Sequence, residues 1–480
     1  MSVASTLKDA LALFQAGDLD AAQAACAALL ERDPAHFDVL HLRGLIALRR
    51  GLAEEAANFL ASAIARNAGN ASAHLNYAKA LNALKRPGEA LAAYEQALAL
   101  KPDNPDGWNE RGLLLSDLGQ HDAALASFDE AVARKADFVE AWLNRSTTLG
   151  DLGRGHEALA GYERVLALRP EHADARWNMS FCLLQQGDYA RGWREHEWRL
   201  KSTRLKAPPP NFVQPLWTGA EPLVGKRILI YADQGYGDTL QFCRYIPRLR
   251  DLGATVIFKV QRALMPLLKT LDGVTEIITA GDALPPFDVH CSLASLPFMF
   301  ATTHDTIPAA RGYLEADPAK IAMWRDKLGA PKNKRIGLAW SGNAEHLRDH
   351  DRSIALAQML RHLPASHDTV SVQKDVRDSD KAALTAGRIR FVGDDVKDFS
   401  DTAALCTLMD VVISVDTSIA HLAGALGKPI WILLPFNPDW RWLLSRSDSP
   451  WYTSATLYRQ QRAGEWDDVL KRVAADIRRL

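Results

Sequence analysis

Apolar and small residues recur with a period of 34 along the first 200 positions, and each period divides into two helical stretches. Gly17, Gly51, Lys85, Gly119, Gly153 and Gly187 stand 34 residues apart, where a turn between the two stretches belongs. Five positions further on come Ala22, Ala56, Ala90, Ala124, Ala158 and Gly192, small residues suited to a close approach of two helices. Gly44 and Gly112 occupy a second close-contact position, Trp108 and Trp142 begin two first helices, and Pro34, Pro102 and Pro170 end second helices, with Ala68 and Ala136 in the intervening units. A single hairpin of this kind cannot bury its apolar face, so neighbours must stack, leaving a long concave groove. From Arg227 the period is lost, and short apolar runs alternate with helical patterns: RILIYA, ATVIFKV, VTEII and DVHCSL, then RIGLAW, TVSVQ, IRFV, DVVISV and PIWILL. Continuous apolar strands between helices predict parallel sheets covered on both faces.

The 34-residue landmarks match the pattern of the tetratricopeptide repeat, and by that resemblance five to six units cover roughly residues 3–200. The expected fold class is therefore an α-solenoid followed by α/β, with two Rossmann-like lobes facing a cleft. Residues 1–200 form the solenoid and 201–224 a linker containing Pro208, Pro209, Pro210, Pro215 and Pro222, which cannot continue a helix. The first lobe spans 225–317 and the second 318–480, opening on a helical segment near 318–330 and closing on an amphipathic one, Trp466 to Leu480. A solenoid groove suits an extended peptide or helix, so a protein or peptide client is the expected partner; a rigid spacer or a dimerisation surface is the competing reading. Asn76, Asn109, Asn144 and Asn178 recur at spacings of 33, 35 and 34, which places asparagines where they either hold a client's backbone amides or lie as solvated surface. The client reading is preferred.

Charge narrows the partners. The 480 residues carry 57 basic and 58 acidic side chains, which removes the field expected of a nucleic-acid-binding protein. Residues 1–200 hold 21 basic and 27 acidic groups against 36 and 31 in the rest, and the mildly basic second half suits an anionic small ligand. Cys26, Cys182, Cys243, Cys291 and Cys406 are scattered without a CxxC pair, as expected of reduced, buried thiols in a cytoplasmic protein. No run of apolar residues is long enough for a transmembrane segment, and Lys8 and Asp9 stand where a signal peptide would be apolar.

Chemistry is to be sought in the loops beyond the carboxyl ends of the strands. After RILIYA comes a turn with Gly235 and Gly237, but Leu240 leaves the dinucleotide fingerprint GxGxxG incomplete and argues against NAD. Asp238 then opens a helix, where it either caps backbone N–H groups or acts as a general base toward an acceptor hydroxyl. On spacing alone the cap is favoured. After DVVISV, Asp416, Thr417 and Ser418 begin a small-residue helix whose free N–H groups favour phosphate, with His421 one turn in. Position after a strand also nominates Ser341, Asn343, Arg352, Gln373 and Lys374, with Arg352 able to neutralise a diphosphate. The aromatics of 439–442 and 450–452 suit packing better than sugar stacking. Asp349-His-Asp351 and Asp378-Ser-Asp380 fit a DxD metal pattern, but so does Asp18-Leu-Asp20 inside the repeats, so the pattern assigns no metal.

The segment Asp416-Thr-Ser-Ile-Ala-His-Leu-Ala-Gly-Ala-Leu426 resembles the D-T-x-x-x-H-L-x-x-A-L signature of bacterial heptosyltransferases, glycosyltransferases of the GT-B class. The Gly237-Asp238-Thr239 turn is similar to that family's first-lobe loop, whose aspartate is the proposed base, and this resemblance moves the preference for Asp238 to catalysis. In domain order the chain also resembles O-GlcNAc transferase. The resemblance implies a transferase that uses a nucleotide-sugar as co-substrate and no resident cofactor; basic residues and a helix terminus can stabilise a leaving diphosphate, so no metal is expected. The resemblance also implies Asp238 as base and Asp416, Thr417, Ser418 and His421 at the donor; Gly235, Gly237, Thr239 and Gln241 of the first-lobe loop and Ser341, Asn343, Arg352, Gln373 and Lys374, nominated by their places after strands, complete the expected donor site. Some relatives glycosylate flagellins, which makes a flagellin one implied client. Two rivals stand beside this expectation: a heptosyltransferase acting on a lipopolysaccharide or other glycan, and a repeat scaffold with vestigial lobes.

Overall fold

The computed structural model describes residues 6–205, 210–308, 312–331, 333–346 and 348–480. Pro208 and Pro209 of the expected linker, and the first residues of the expected solenoid, lie outside the described residues. The chain forms two compact units, residues 1–172 and 173–480.

The first unit holds five helical hairpins: Leu7–Gln15 with Leu19–Arg32, Phe37–Arg49 with Ala53–Arg66, Ala71–Ala83 with Pro87–Leu100, Pro105–Asp117 with His121–Arg134, and Val139–Asp151 with Gly155–Leu168. A sixth pair of helices, Ala173–Gln185 and Tyr189–His196, keeps the same helix-turn-helix pattern in sequence and belongs to the second unit. The turn position is left-handed throughout, with φ of 84° at Gly17, 72° at Gly51 and 58° at Lys85. Glycine reaches this region without a Cβ penalty, whereas Lys85 carries a strain of about 1–2 kcal/mol. The alanines five positions on are fully buried between helices, from Ala22 to Ala158.

Side-chain bonds repeat with the sequence. Trp108 Nε1 donates to the Pro102 carbonyl at 2.8 Å, Trp142 Nε1 to that of Ala136 at 3.1 Å, and His74 Nε2 to that of Ala68 at 3.0 Å. Each ties the start of a first helix to the end of the preceding repeat. Arg111 reaches Glu95 at 3.4 Å, and Arg145, 34 residues on, reaches Asp129 at 2.6 Å. The recurring asparagines also take part in this stitching: Asn144 Nδ2 donates to Asn109 Oδ1 at 2.9 Å, and Asn76 meets His41 Nε2 at 3.0 Å. Asn109 is buried, so it serves the contact between repeats more directly than a surface for clients.

The second unit contains two parallel sheets. Strands β1 (Arg227–Tyr231), β2 (Thr255–Val260), β3 (Glu276–Thr279) and β4 (Val289–Ser292) lie in the order β3-β2-β1-β4, with Ile230 opposite both Phe258 and Cys291. Strands β5 (Arg335–Ala339), β6 (Asp368–Ser371), β7 (Val411–Val415), β8 (Ile430–Leu434) and β9 (Ala455–Arg459) follow as β6-β5-β7-β8-β9. β1, β5 and β7 are buried along almost their whole length, as continuous apolar strands require. Two elements depart from the expectation. IRFV contributes only an isolated bridge from Arg390 to Val370, the Arg390 backbone pairing with Thr369 and Ser371 while its neighbours form no strand. The fifth strand is instead Ala455–Arg459, whose apolar run is broken by the exposed Thr456.

The proline-rich segment is partly built into the first sheet. Leu216 bridges His290 of β4, Trp217 N donates to the His290 carbonyl at 2.8 Å, and the Trp217 indole is almost wholly buried. All five cysteines are buried and free, and no helix among the described residues is long and apolar enough to cross a membrane.

Candidate active site

The strand orders reverse direction between β1 and β4 and between β5 and β7, and ligands of such sheets bind beyond the strand ends at these switch points. The loops after β1 and β7 each lead into a helix, Tyr236–Phe242 and Ser418–Ala425, and the two helices pack together. Their crossing explains Gly237. A Cβ there would lie 2.8 Å from His421 Cδ2, so only glycine leaves room for the imidazole. The backbone of Gly235 and Gly237 needs no left-handed conformation, so close approach and not turn geometry accounts for Gly237. Gly237→Ala is expected to destabilise the protein by about 1–3 kcal/mol through overpacking, read as a fall in denaturation midpoint at constant slope.

Asp238 serves as a cap and also pairs with charge. Its Oδ2 accepts from Gly235 N–H at 2.9 Å, and its Oδ1 pairs with Arg441, which lies on the loop after β8. Burial pushes its pKa above the usual aspartate value, with the Arg441 guanidinium opposing and Asp439 reinforcing the shift. Arg441 also donates from Nε to Gln241 Oε1 and from Nη1 to Asp439 at 2.9 Å. Gln241 is fully buried and its Nε2 has no partner among the described residues.

His421 is buried, with Nδ1 at 2.8 Å from the Tyr452 hydroxyl and its ring stacked on Trp442 at 5.5 Å. Burial and the positive charges of Arg441, Arg244 and Arg352 hold it well below the ordinary histidine pKa, so the ring is neutral. No hydrogen bond engages Nε2 among the described residues, and this atom lies on the side of Gly237. Asp416 is likewise raised, first by burial and then by the Asp439 carboxylate. Its carbonyl accepts from Arg352 Nη1 at 2.8 Å. Thr417 caps its helix, accepting from Ile419 N–H at 3.3 Å, and Ser418 is half-buried at the first helical position.

The other nominated residues divide. Gln373 Oε1 accepts the Trp340 and Ser341 N–H groups, both at 3.0 Å, while its Nε2 donates to Ser341 Oγ and the Asp375 carbonyl, so Gln373 and Ser341 brace two strand ends. Thr239 turns inward to the Gly235 carbonyl and Gln261. Asn343 and Lys374 are exposed. Trp440, Trp442, Trp451 and Tyr452 are buried and pack, as expected of them, with Trp193 edge-on to Trp440 at 5.2 Å. Asp349 pairs with Arg377, and Asp380 accepts from Trp340 Nε1 at 2.9 Å, so both DxD-like pairs have structural partners.

Two arginines escaped the sequence reading. Arg441 stands 203 residues from Asp238. Arg199, in the 3-10 turn Glu197–Lys201, is completely buried and contacts Glu197 at 2.6 Å, Ser292 at 2.8 Å, Ser295 at 2.7 Å and Asp233 at 3.5 Å. It thereby ties the loop after β1 to the end of β4. Arginine in an irregular segment gives no periodic signal.

The N-terminal region is a tetratricopeptide-repeat solenoid followed by an α/β region of parallel sheets, and repeats of this kind form surfaces for protein interaction. The family model described as Tetratricopeptide repeat matches residues 7–71, 109–154 and 143–192, and that described as TPR repeat matches 78–119. Among curated proteins, Protein FlbA of Caulobacter vibrioides is 28% identical over 504 residues, covering 98% of this chain and 83% of FlbA. Among solved structures, MamA is 23% identical over 35% of this chain and 97% of its own, with a TM-score of 0.33. YrrB, described as a TPR protein with an unusual peptide-binding site, is 21% identical over 37% of this chain and 91% of its own, with a TM-score of 0.33.

Proposed function

We propose that the α/β region is a GT-B type glycosyltransferase that moves a sugar from a nucleotide-sugar donor to a hydroxyl of a protein client bound by the repeats. The observation that carries this reading is the packing of two helices that begin at the switch points of two parallel sheets, one bearing Asp238 and the other His421, whose Nε2 no hydrogen bond engages among the described residues.

In this reading Asp238 takes the proton of the acceptor hydroxyl as its oxygen bonds to the anomeric carbon of the sugar. The bond from that carbon to the diphosphate oxygen breaks, and the nucleoside diphosphate leaves with the electron pair. Its growing charge meets the N-terminal N–H groups of the helix Ser418–Ala425, the Arg352 guanidinium and, with Tyr452 donating to Nδ1, the Nε2 proton of His421. Arg441 keeps Asp238 from turning away.

Full-length protein screened against UDP-, ADP-, GDP- and CMP-sugars is expected to melt higher with one nucleotide class. At a hundredfold excess over Kd the gain is about 2.7 kcal/mol. An unchanged melting temperature across the panel would remove the donor from this reading.

A further inference from the structure

We propose that Arg441 is a positioning residue that reaches from the loop after β8 to the helix after β1, fixing the orientation and charge of the Asp238 carboxylate. The inference rests on the reading of Asp238 as the base, and it adds the group that governs that base. Only one of the three Arg441 side-chain bonds stays inside its own loop, the one to Asp439, which also accepts from the Arg441 backbone N–H. The other two cross to the helix Tyr236–Phe242, to Asp238 Oδ1 and Gln241 Oε1, 203 and 200 residues away. An arginine serving only to hold its own loop would not spend two of three nitrogens on another element.

The plane of the fork is held as well. The guanidinium carbon lies 4.4 Å from the Trp440 ring centroid and 5.8 Å from that of Phe242, and the side chain is 12% exposed. With Gly235 N–H on Oδ2 and Arg441 on Oδ1, the carboxylate is held from both sides and cannot rotate without losing a bond. The charges facing Asp238 are Asp439 from the loop after β8, Asp233 from the loop after β1, and Arg441 itself. Two of these three are acidic, and Arg441 is the one cation among them, opposing the rise that burial imposes on the Asp238 carboxyl. Lysine would keep the charge but lose the planar fork.

The test uses the full-length protein carrying Arg441→Met, Arg441→Lys, Asp238→Asn and the Arg441→Met/Asp238→Asn pair. Arg441→Met is expected to lower the melting temperature, and adding Asp238→Asn is expected to restore part of the loss by removing the stranded charge. Strictly additive losses would overturn the clamp, and this arm reads out whether or not any sugar is transferred. With a donor found by the screen, the acid limb of kcat/KM against pH is expected to move up by about one pH unit or more in Arg441→Met. In Arg441→Lys the limb should stay near its original position while kcat falls. A lowered rate with an unmoved limb in Arg441→Met would overturn the positioning role. If no donor supports transfer, the reading of Asp238 as base fails, and the melting cycle alone decides whether the clamp exists.

Discussion

Asp238→Asn is expected to lower sugar transfer by about 10²–10⁴-fold, the usual contribution of a positioned general base. The variant should fold, because the asparagine carbonyl can still accept from Gly235 N–H and Arg441 keeps its bond to Asp439. The loss would therefore report chemistry, provided that melting and nucleotide-sugar binding stay near those of the parent. The pH profile supplies the sign. A base works deprotonated, and burial raises the Asp238 pKa above its ordinary value, so activity should fall on acidification earlier than an exposed aspartate would dictate. Retention of full transfer by a folded Asp238→Asn protein would end its assignment as base.

Arg199→Met should be the most damaging single change to stability, costing about 3–5 kcal/mol. Methionine fills much of the same volume, so the cost is chiefly electrostatic. The change leaves Asp233 and Glu197, 8% and 17% exposed, without their shared cation, and deprives two buried serine hydroxyls of a donor. Denaturant unfolding followed by tryptophan fluorescence measures the loss. Adding Asp233→Asn to Arg199→Met should recover part of it, since one of the stranded charges is then neutral. A cost below about 1 kcal/mol would show that water already serves these carboxylates.

The solenoid was legible because its contacts are local and periodic. One residue type at one spacing reports each turn and each close approach, even where Lys85 replaces glycine. Buried strands were legible for the same reason, as uninterrupted apolar runs such as those of β1 and β7. β9 gives no continuous apolar run because Thr456 is exposed, whereas IRFV reads as an apolar run yet pairs only through the Arg390 bridge. Asp238, Asp416 and His421 could be nominated from their places after strands, but their environment could not. The pairing of Asp238 with Arg441, the seat of His421 against Gly237 and the burial of Gln241 all depend on folding together segments far apart in sequence. Gln373 and Ser341 show the converse, since their positions after strands looked available to a ligand and the fold uses them to brace itself.

The bond from a first-helix residue to the carbonyl six positions earlier recurs at His74, Trp108 and Trp142, and each bond closes within its own junction. Excision of residues 71–104 would bring Trp108 six positions beyond Ala68, so that its indole could inherit the carbonyl that His74 now occupies. The groove can thus be shortened or lengthened in whole 34-residue steps without designing a new joint. A chain built this way could change the length of its solenoid by duplication or loss of one unit, while the α/β region stays as it is.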